Sequence, residues 1–168
     1  MEYSKVIRER TAVRKFSSKE IEKDKLDEIL EAWRIAPTAK NLQPIKIYVI
    51  TSAEGLEKLD KSTPCRYWAN TVLMVCADKN AAYTKEDYST YEMDACIVAT
   101  HMMLQATDLG LGNIWIEKFD WKILVDEFTI PSNLTPIVLL PIGYKAEDCP
   151  ENPLHNVRKS IDELVEYK

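Results

Sequence analysis

Residues 89–109 of this chain have the sequence STYEMDACIVATHMMLQATDL, which is apolar around most of a helical circumference. Only a narrow stripe is polar, and it consists of Asp94, His101, Gln105 and Asp108. A helix with this pattern must be covered by other parts of the protein over most of its surface. One small sheet covers only part of such a helix, so the pattern leaves a face for a second chain.

The two ends of this helix carry local signals. Ser89 and Glu92 have the capping-box spacing, in which a hydroxyl residue caps the first turn and a glutamate follows three positions later. Gly110 predicts the other end, because glycine accepts the left-handed backbone conformation that commonly terminates helices.

Hydrophobic periodicity, capping residues and prolines predict the remaining elements. Helices are predicted at residues 3–10 (with Val6 and Ile7 facing inward), 23–36, 52–59, 120–128 and from 160 onward. An extended segment is predicted at 10–16, and strands at 45–50, 71–77, 113–116 and 136–143. Residues 71–77 are continuously apolar, which is typical of a strand covered on both faces. This order indicates an α+β or α/β protein, and helices in the connections after residues 50 and 77 allow some parallel pairing.

Length and charge restrict the class of protein. The 168 residues suit a single domain, residues 1–168, with its own core. The chain has 22 Lys and Arg against 27 Asp and Glu, a net charge of −5, and no basic block, so no nucleic-acid partner is expected. The apolar runs are far shorter than the ~20 residues that span a bilayer, so no membrane partner is expected either. Residues 1–5 do not begin an apolar signal segment, which favours a cytoplasmic location.

Several chemical motifs are missing. The sequence has no G-x-x-x-x-G-K-[ST] and no G-x-S-x-G, and the segment after Gly110-Leu111-Gly112 has Trp115 where a dinucleotide fingerprint needs a third glycine. His101 and His155 have no ligand-spaced partners, so no metal site is expected, and His101 is interpreted as a core or interface histidine. Four cysteines without a C-x-x-C pair predict buried free thiols, and they are Cys65, Cys76, Cys96 and Cys149.

Two features point towards ligand binding. Arg8, Arg10 and Arg14 cluster near the start and Arg158 lies near the end, and arginine forks suit a phosphate dianion. The alternative is that these arginines are solvated charges beside an acidic helix and bind no ligand. Residues 37–44 form a loop with prolines and carboxamides that could read the edge of a flat heterocycle, and the alternative is a plain connecting loop.

Four segments occur together in a fixed order: RTAVRKF at residues 10–16, APTAKNLQP at 36–44, GLGNIWIEKFD at 110–120, and Arg158. In order and spacing, across nearly the whole chain, they resemble the FMN-dependent nitroreductase family. The resemblance implies an α+β fold whose central mixed, mostly antiparallel sheet is flanked by helices. It also implies an intertwined homodimer with FMN at the interface.

The resemblance also implies roles for the residues near the chain ends. Arg10 and Arg158 would hold the FMN phosphate, and Thr11 and Ala12 would make backbone and small-side-chain contacts there. Arg14 would lie near the pyrimidine edge of the flavin, where a cation stabilises negative charge on the reduced ring.

Two loops would complete the flavin site in this resemblance. Asn41 would contact the ring region, with three neighbours of the same loop packing beside it from the partner subunit: Pro37, Thr38 and Ala39. The segment of Ile116, Glu117 and Lys118 would line the opposite face, with a backbone N–H near the flavin N5.

The implied activity is that of an NAD(P)H oxidoreductase. NADH or NADPH would reduce FMN, and hydride would pass through N5 in ping-pong order to a nitroaromatic, quinone or related small-molecule acceptor. The cofactor carries this chemistry, so no catalytic acid or base is named. Alternatives are a non-catalytic flavin-binding or redox-sensing module, a dehalogenase-like or flavin-degrading relative, and a non-flavin α+β interaction protein with Arg10 and Arg14 as ordinary surface charge.

This sequence departs from the family pattern at several positions. Thr11 stands where a basic residue is common and Ala12 stands where serine is usual, so one hydroxyl contact to phosphate is missing. Asn156 stands where a lysine often precedes the late arginine. Weaker phosphate binding is therefore expected, and the short chain predicts an open pocket above the flavin.

Overall fold

The computed structural model describes residues 2–168, and within that range it has six α-helices and six strands. The helices are α1 Tyr3–Glu9, α2 Lys23–Arg34, α3 Ala53–Asp60, α4 Tyr91–Asp108, α5 Trp121–Phe128 and α6 Ile161–Leu164. The strands are β1 Ile45–Ile50, β2 Thr71–Asp78, β3 Thr84–Lys85, β4 Tyr88–Ser89, β5 Gly112–Asn113 and β6 Leu134–Gly143. A 3₁₀ turn at Ala39–Asn41 lies in the loop before β1.

The main sheet has the strand order β1-β2-β6-β5, and every pair of these strands is antiparallel. The predicted α+β class, with a mostly antiparallel sheet flanked by helices, is confirmed. The parallel pairing allowed after residues 50 and 77 is wrong for these strands. The reason is that residues 61–70 lead the chain back from α3 to the sheet end where β1 finished, so Ile50 pairs with Val72. Parallel pairing within residues 2–168 is limited to one isolated bridge, which joins Ala12 to Asn113.

Two apolar layers cover the sheet, because successive residues of a strand point to opposite faces. Leu73 and Val75 pack with residues of α2 and α4 on one face. Val72 and Met74 pack with Leu124 of α5 and with α3 on the other face. Seven residues of β2, 71–77, are buried, which confirms the prediction of a strand covered on both faces.

The beginning of α4 differs from the prediction. Ser89 belongs to the β3–β4 hairpin, where it pairs with Thr84, so the capping box from Ser89 to Glu92 does not form. Thr90 precedes the helix, and its hydroxyl donates to the Asp94 carboxylate at 2.8 Å. Asp94, predicted in a polar stripe, is only 2% exposed.

Other side chains of this layer are more exposed than predicted. Ile7 is exposed although Val6 beside it is buried, so only one of the two faces inward in the single protomer. Cys96 on α4 is exposed and Cys65 is half-buried, so the prediction of buried thiols is correct for Cys76 and Cys149 alone. Among the helices of residues 2–168, none combines the length and the hydropathy needed to cross a membrane.

Candidate functional site

The segment that follows α1 lies along the edge of the sheet. Val13 N–H donates to Asn113 O at 3.0 Å, next to the bridge between Ala12 and Asn113. This close approach requires glycine at position 112, since a Cβ there would lie 2.7 Å from a Val13 methyl carbon. The residues from Arg10 to Arg14 are therefore held in extended conformation beside β5.

Asn113 joins this edge to the C-terminal half of α4. Its buried side-chain Nδ2 donates to Met103 O and to the Thr107 hydroxyl, each at 3.0 Å. A buried amide with two acceptors is expensive to displace, because losing them leaves polar groups unpaired. Asn113 thus fixes where the segment after α1 sits.

Arg10 and Arg158, from opposite ends of the chain, lie near enough for their charges to interact. Partial burial lowers the pKa of Arg10, and the positive charge of Arg158 lowers it further. Arg158 Nη1 donates to the carbonyl oxygens of Leu154 and Val157 at 3.3 and 2.6 Å. Within residues 2–168, no carboxylate forms an ion pair with either guanidinium. Two neighbouring cations without a counter-ion form a site that favours an anion.

A cleft of about 250 Å³, called here the first cleft, lies beside these arginines. Its wall contains Thr11 and Ala12, directly after Arg10, and His155 and Asn156, just before Arg158, together with the charged residues Lys145 and Glu151. The walls are held together by an ion pair from Lys15 to Asp148 and by Ala146 N–H donating to Lys15 O at 3.0 Å.

Arg14 lies in a second cleft, of about 490 Å³, which is formed with the loop before β2. Burial raises the pKa of the Tyr67 hydroxyl, as does the Cys65 thiol, while a hydrogen bond from Arg14 acts in the opposite direction. Arg66 in the same cleft donates twice to Asp60, at 2.7 and 2.6 Å. The Asp60 carboxylate is therefore already paired with Arg66. In the part of the chain that the structure describes, no carboxylate forms an ion pair with Arg14.

The segment after β5 passes beside the second cleft. Ile116 is buried and exchanges both backbone hydrogen bonds with Leu139 at 3.0 Å, so its N–H is not available to a ligand. Glu117 and Lys118 are exposed, and their N–H groups have no acceptor within residues 2–168. Thr63 donates to Lys118 O at 2.6 Å and so joins this segment to the second cleft.

The loop of Pro37, Thr38, Ala39 and Asn41 lies at the other end of α4. Ala39 N–H donates to the Asp94 carboxylate at 2.8 Å, whereas the segment of Arg10 to Arg14 is joined through Asn113 to Thr107. Thr107 follows Asp94 by 13 positions along α4, which corresponds to about 20 Å. A single protomer therefore brings Arg10, Thr11, Ala12 and Arg158 together, but it holds this loop apart from them.

Strained backbone is concentrated in the loops of this region. Non-glycine residues with positive φ include three in the loop before β1 and two in the loop before β2, namely Lys40, Asn41, Gln43, Tyr67 and Trp68. Such conformations cost free energy and persist where the surroundings impose them, often at ligand sites. Both loops are thus held in specific shapes.

The sequence does not point to several residues of these clefts, among them Thr63, Tyr67 and His155. His155 has no ligand-spaced partner and so no signal of its own, yet it stands next to Asn156 in the loop before Arg158. Nothing in the pattern of residues 61–70 indicated that this loop would meet Arg14, because the contact depends on how β2 enters the sheet.

Comparison with known proteins identifies the family to which this chain is similar. The family model described as the nitroreductase family matches residues 7–66 and 65–144. A nitroreductase family protein of Clostridium difficile 630 is 36% identical in its crystal structure, with a TM-score of 0.93 over 100% of this chain and 99% of that chain. An FMN reductase (NAD(P)H) of Bacillus subtilis is 24% identical in an alignment that covers 90% of this chain and 69% of the relative. A structure from Exiguobacterium sibiricum in complex with FMN shares the fold, with a TM-score of 0.87 at 20% identity over 100% of this chain and 98% of that chain. The chain therefore belongs to the nitroreductase family.

Proposed function

We propose that this protein is an FMN-dependent NAD(P)H oxidoreductase of the nitroreductase type. The observation that carries the proposal is the interaction between the charges of Arg10 and Arg158 next to the first cleft, where neither guanidinium forms an ion pair within residues 2–168. The FMN reductase of Bacillus subtilis and the FMN complex from Exiguobacterium sibiricum support the choice of cofactor.

The residues present fit the two polar ends of FMN. Arg10 and Arg158 would bind the phosphate as charge-assisted donors, and small Ala12 with Thr11 would leave room for it in the first cleft. Arg14 would place a positive charge at the pyrimidine edge of the ring. The free N–H groups of Glu117 and Lys118 would offer donors to the ring face.

Bound FMN would supply the redox chemistry, namely acceptance of hydride from NADH or NADPH and its delivery to a nitroaromatic, quinone or related acceptor. The protein residues bind and orient. The Arg14 charge, which lies beside Tyr67 in the second cleft, would favour an anionic reduced ring over the neutral oxidised one.

The proposal also includes a loop that the partner subunit would supply to each flavin site. The loop of Pro37, Thr38, Ala39 and Asn41 is held at the far end of α4 from the arginines, so a second copy would supply it to each flavin. A homodimer with FMN at its interface follows from this arrangement.

The experiment is purification followed by flavin analysis. The protein is expected to be yellow, to release FMN on denaturation, and to bleach with NADH or NADPH and regain colour with a quinone or nitroaromatic compound. Arg10→Ala and Arg158→Ala should each weaken FMN binding about 10- to 150-fold, because each removes charge-assisted hydrogen bonds.

The matched control is Arg8→Ala, because Arg8 is an exposed arginine in the last turn of α1. It should leave the FMN dissociation constant unchanged. A colourless protein that does not bind added FMN contradicts the proposal, as does an Arg10→Ala variant with wild-type affinity.

A further inference from the structure

His155 has an unusual environment in the wall of the first cleft. Its ring Nδ1 is enclosed and has no hydrogen-bond partner within residues 2–168. Its Nε2 has no partner in the same range either, but that atom is not enclosed. The backbone is held, since His155 N–H donates to Asn152 O at 3.0 Å. The loop is thus ordered locally, while the imidazole edge that faces away from Nδ1 is left without a protein acceptor.

The burial of Nδ1 determines where the proton of the neutral ring resides. An enclosed N–H without an acceptor costs about 1–3 kcal/mol, so the proton is better placed on the accessible nitrogen. Nε2 is therefore a hydrogen-bond donor whose acceptor is not supplied by the protein.

The neighbours of His155 define what that acceptor is. The ring lines the cleft together with Thr11 and Ala12, which follow Arg10, and with the charged residues Lys145 and Glu151. Ala12 offers no side-chain donor and Asn156 carries no charge. Lys145 in the wall and the guanidinium groups of Arg10 and Arg158 near it outnumber the Glu151 carboxylate, so a donor in this cleft suits an oxygen of a phosphate group.

We infer that His155 is a ligand of the FMN phosphate, donating from Nε2 beside the two guanidinium groups. This inference rests on the proposed function. His155 would then make the phosphate contact that the side chains of Ala12 and Asn156 do not make.

Riboflavin gives a direct test, because it has the flavin ring and ribityl chain of FMN but no phosphate. The dissociation constants of both flavins are measured by fluorescence quenching with the full chain and two variants. His155→Phe keeps a flat ring in the loop and removes the donor, whereas His155→Gln retains an Nε2 donor at a similar position. We expect His155→Phe to weaken FMN binding about tenfold or more and to leave riboflavin binding unchanged. His155→Gln should stay close to the wild type for both flavins.

Equal losses for FMN and riboflavin in His155→Phe would show a structural role of the loop and overturn the inference. Unchanged FMN binding would overturn it too. Failure of the proposed function has a different signature, since the wild type then binds neither flavin and the inference falls with it.

A second measurement needs no substitution in the cleft. In proton NMR of the wild type, the ring resonances of His155 should move with FMN and not with riboflavin, and the only other histidine, His101, serves as the reference. His155 resonances that do not respond to FMN would overturn the inference even if the Phe variant failed to fold.

Discussion

At the scale of single residues, Asp94 shows how a buried carboxylate can control a loop far from it in sequence. It is almost fully enclosed, and its two oxygens accept from Ala39 N–H and from the Thr90 hydroxyl, each at 2.8 Å. The loop that it holds contains positive φ angles at Lys40 and Asn41, so the loop does not adopt this shape by intrinsic preference. Asp94 is thus a positioning residue for the proposed flavin contact of Asn41.

Substitution of Asp94 tests this role. Asp94→Ala should lower the free energy of unfolding by about 1–3 kcal/mol, because two buried donors lose their acceptor. Asp94→Asn keeps an acceptor for Ala39 N–H, so it should lose clearly less. Urea denaturation measures both values, and equal losses in the two variants would contradict the assigned hydrogen bonds.

At the scale of elements, a polar cluster joins the start of α2 to the end of β6. The Tyr144 hydroxyl donates to Glu22 at 2.6 Å and accepts from Lys25 at 2.8 Å. The Lys19 ammonium lies 3.7 Å from the centre of the Tyr144 ring. These polar contacts join α2 to the end of β6, in addition to the apolar packing of α2 on the sheet face.

The pH dependence of stability should report this cluster. The hydrogen bond from Tyr144, followed by the backbone and Lys19, lowers the pKa of Glu22 from 4.5 to about 2. A carboxyl with a lowered folded-state pKa stabilises the protein above its unfolded pKa and loses that contribution as the pH falls. The melting temperature should therefore fall between pH 4.5 and about 2, and Glu22→Gln should flatten that part of the profile. Identical acid profiles of the wild type and Glu22→Gln would contradict the assignment.

The contact between β5 and the segment after α1 gives a second prediction at this scale. Gly112→Ala would place a Cβ 2.7 Å from a Val13 methyl carbon, so it should destabilise the protein by about 1–3 kcal/mol. The double variant Gly112→Ala with Val13→Ala removes the closest of these contacts, and its loss should be smaller than the sum of the two single losses. Thermal denaturation of the three variants measures this, and simple additivity would argue against the close approach.

Elements with strong local signals could be predicted from the sequence. β1 has the predicted bounds, and α5 begins after the predicted cap, where the Asp120 carboxylate accepts from Lys122 N–H at 2.9 Å. The start of α4 could not be predicted, because Ser89 pairs with Thr84 in the β3–β4 hairpin. Strands of two residues are too short to show a periodic pattern in the sequence. The antiparallel return of β2 and the contact of Tyr67 with Arg14 depend on tertiary packing, which no local pattern encodes.

At the scale of the whole molecule, a single protomer leaves large apolar side chains uncovered. Met93 and Ile97 are exposed on α4, the helix whose pattern predicts cover by a second chain. The last part of the chain exposes several more, including Val157, Ile161 and Leu164. Patches of this kind mark interaction surfaces in soluble proteins. A second copy is the partner that the proposed site requires.

Mixed dimers can show whether each flavin site is built from two subunits. Arg10→Ala and Asn41→Ala chains are co-expressed with different affinity tags, and the heterodimer is isolated through both tags. If one protomer supplies the arginines and the other supplies the loop, one of the two sites has wild-type Arg10 and wild-type Asn41. The heterodimer should then bind FMN with wild-type affinity at half of the wild-type stoichiometry, whereas each variant homodimer binds weakly at both sites. A heterodimer without any tight site would mean that one protomer supplies both elements. The roughly 20 Å between their attachment points on α4 argues for two subunits, because within one chain Asp94 holds the loop at the end opposite Asn113.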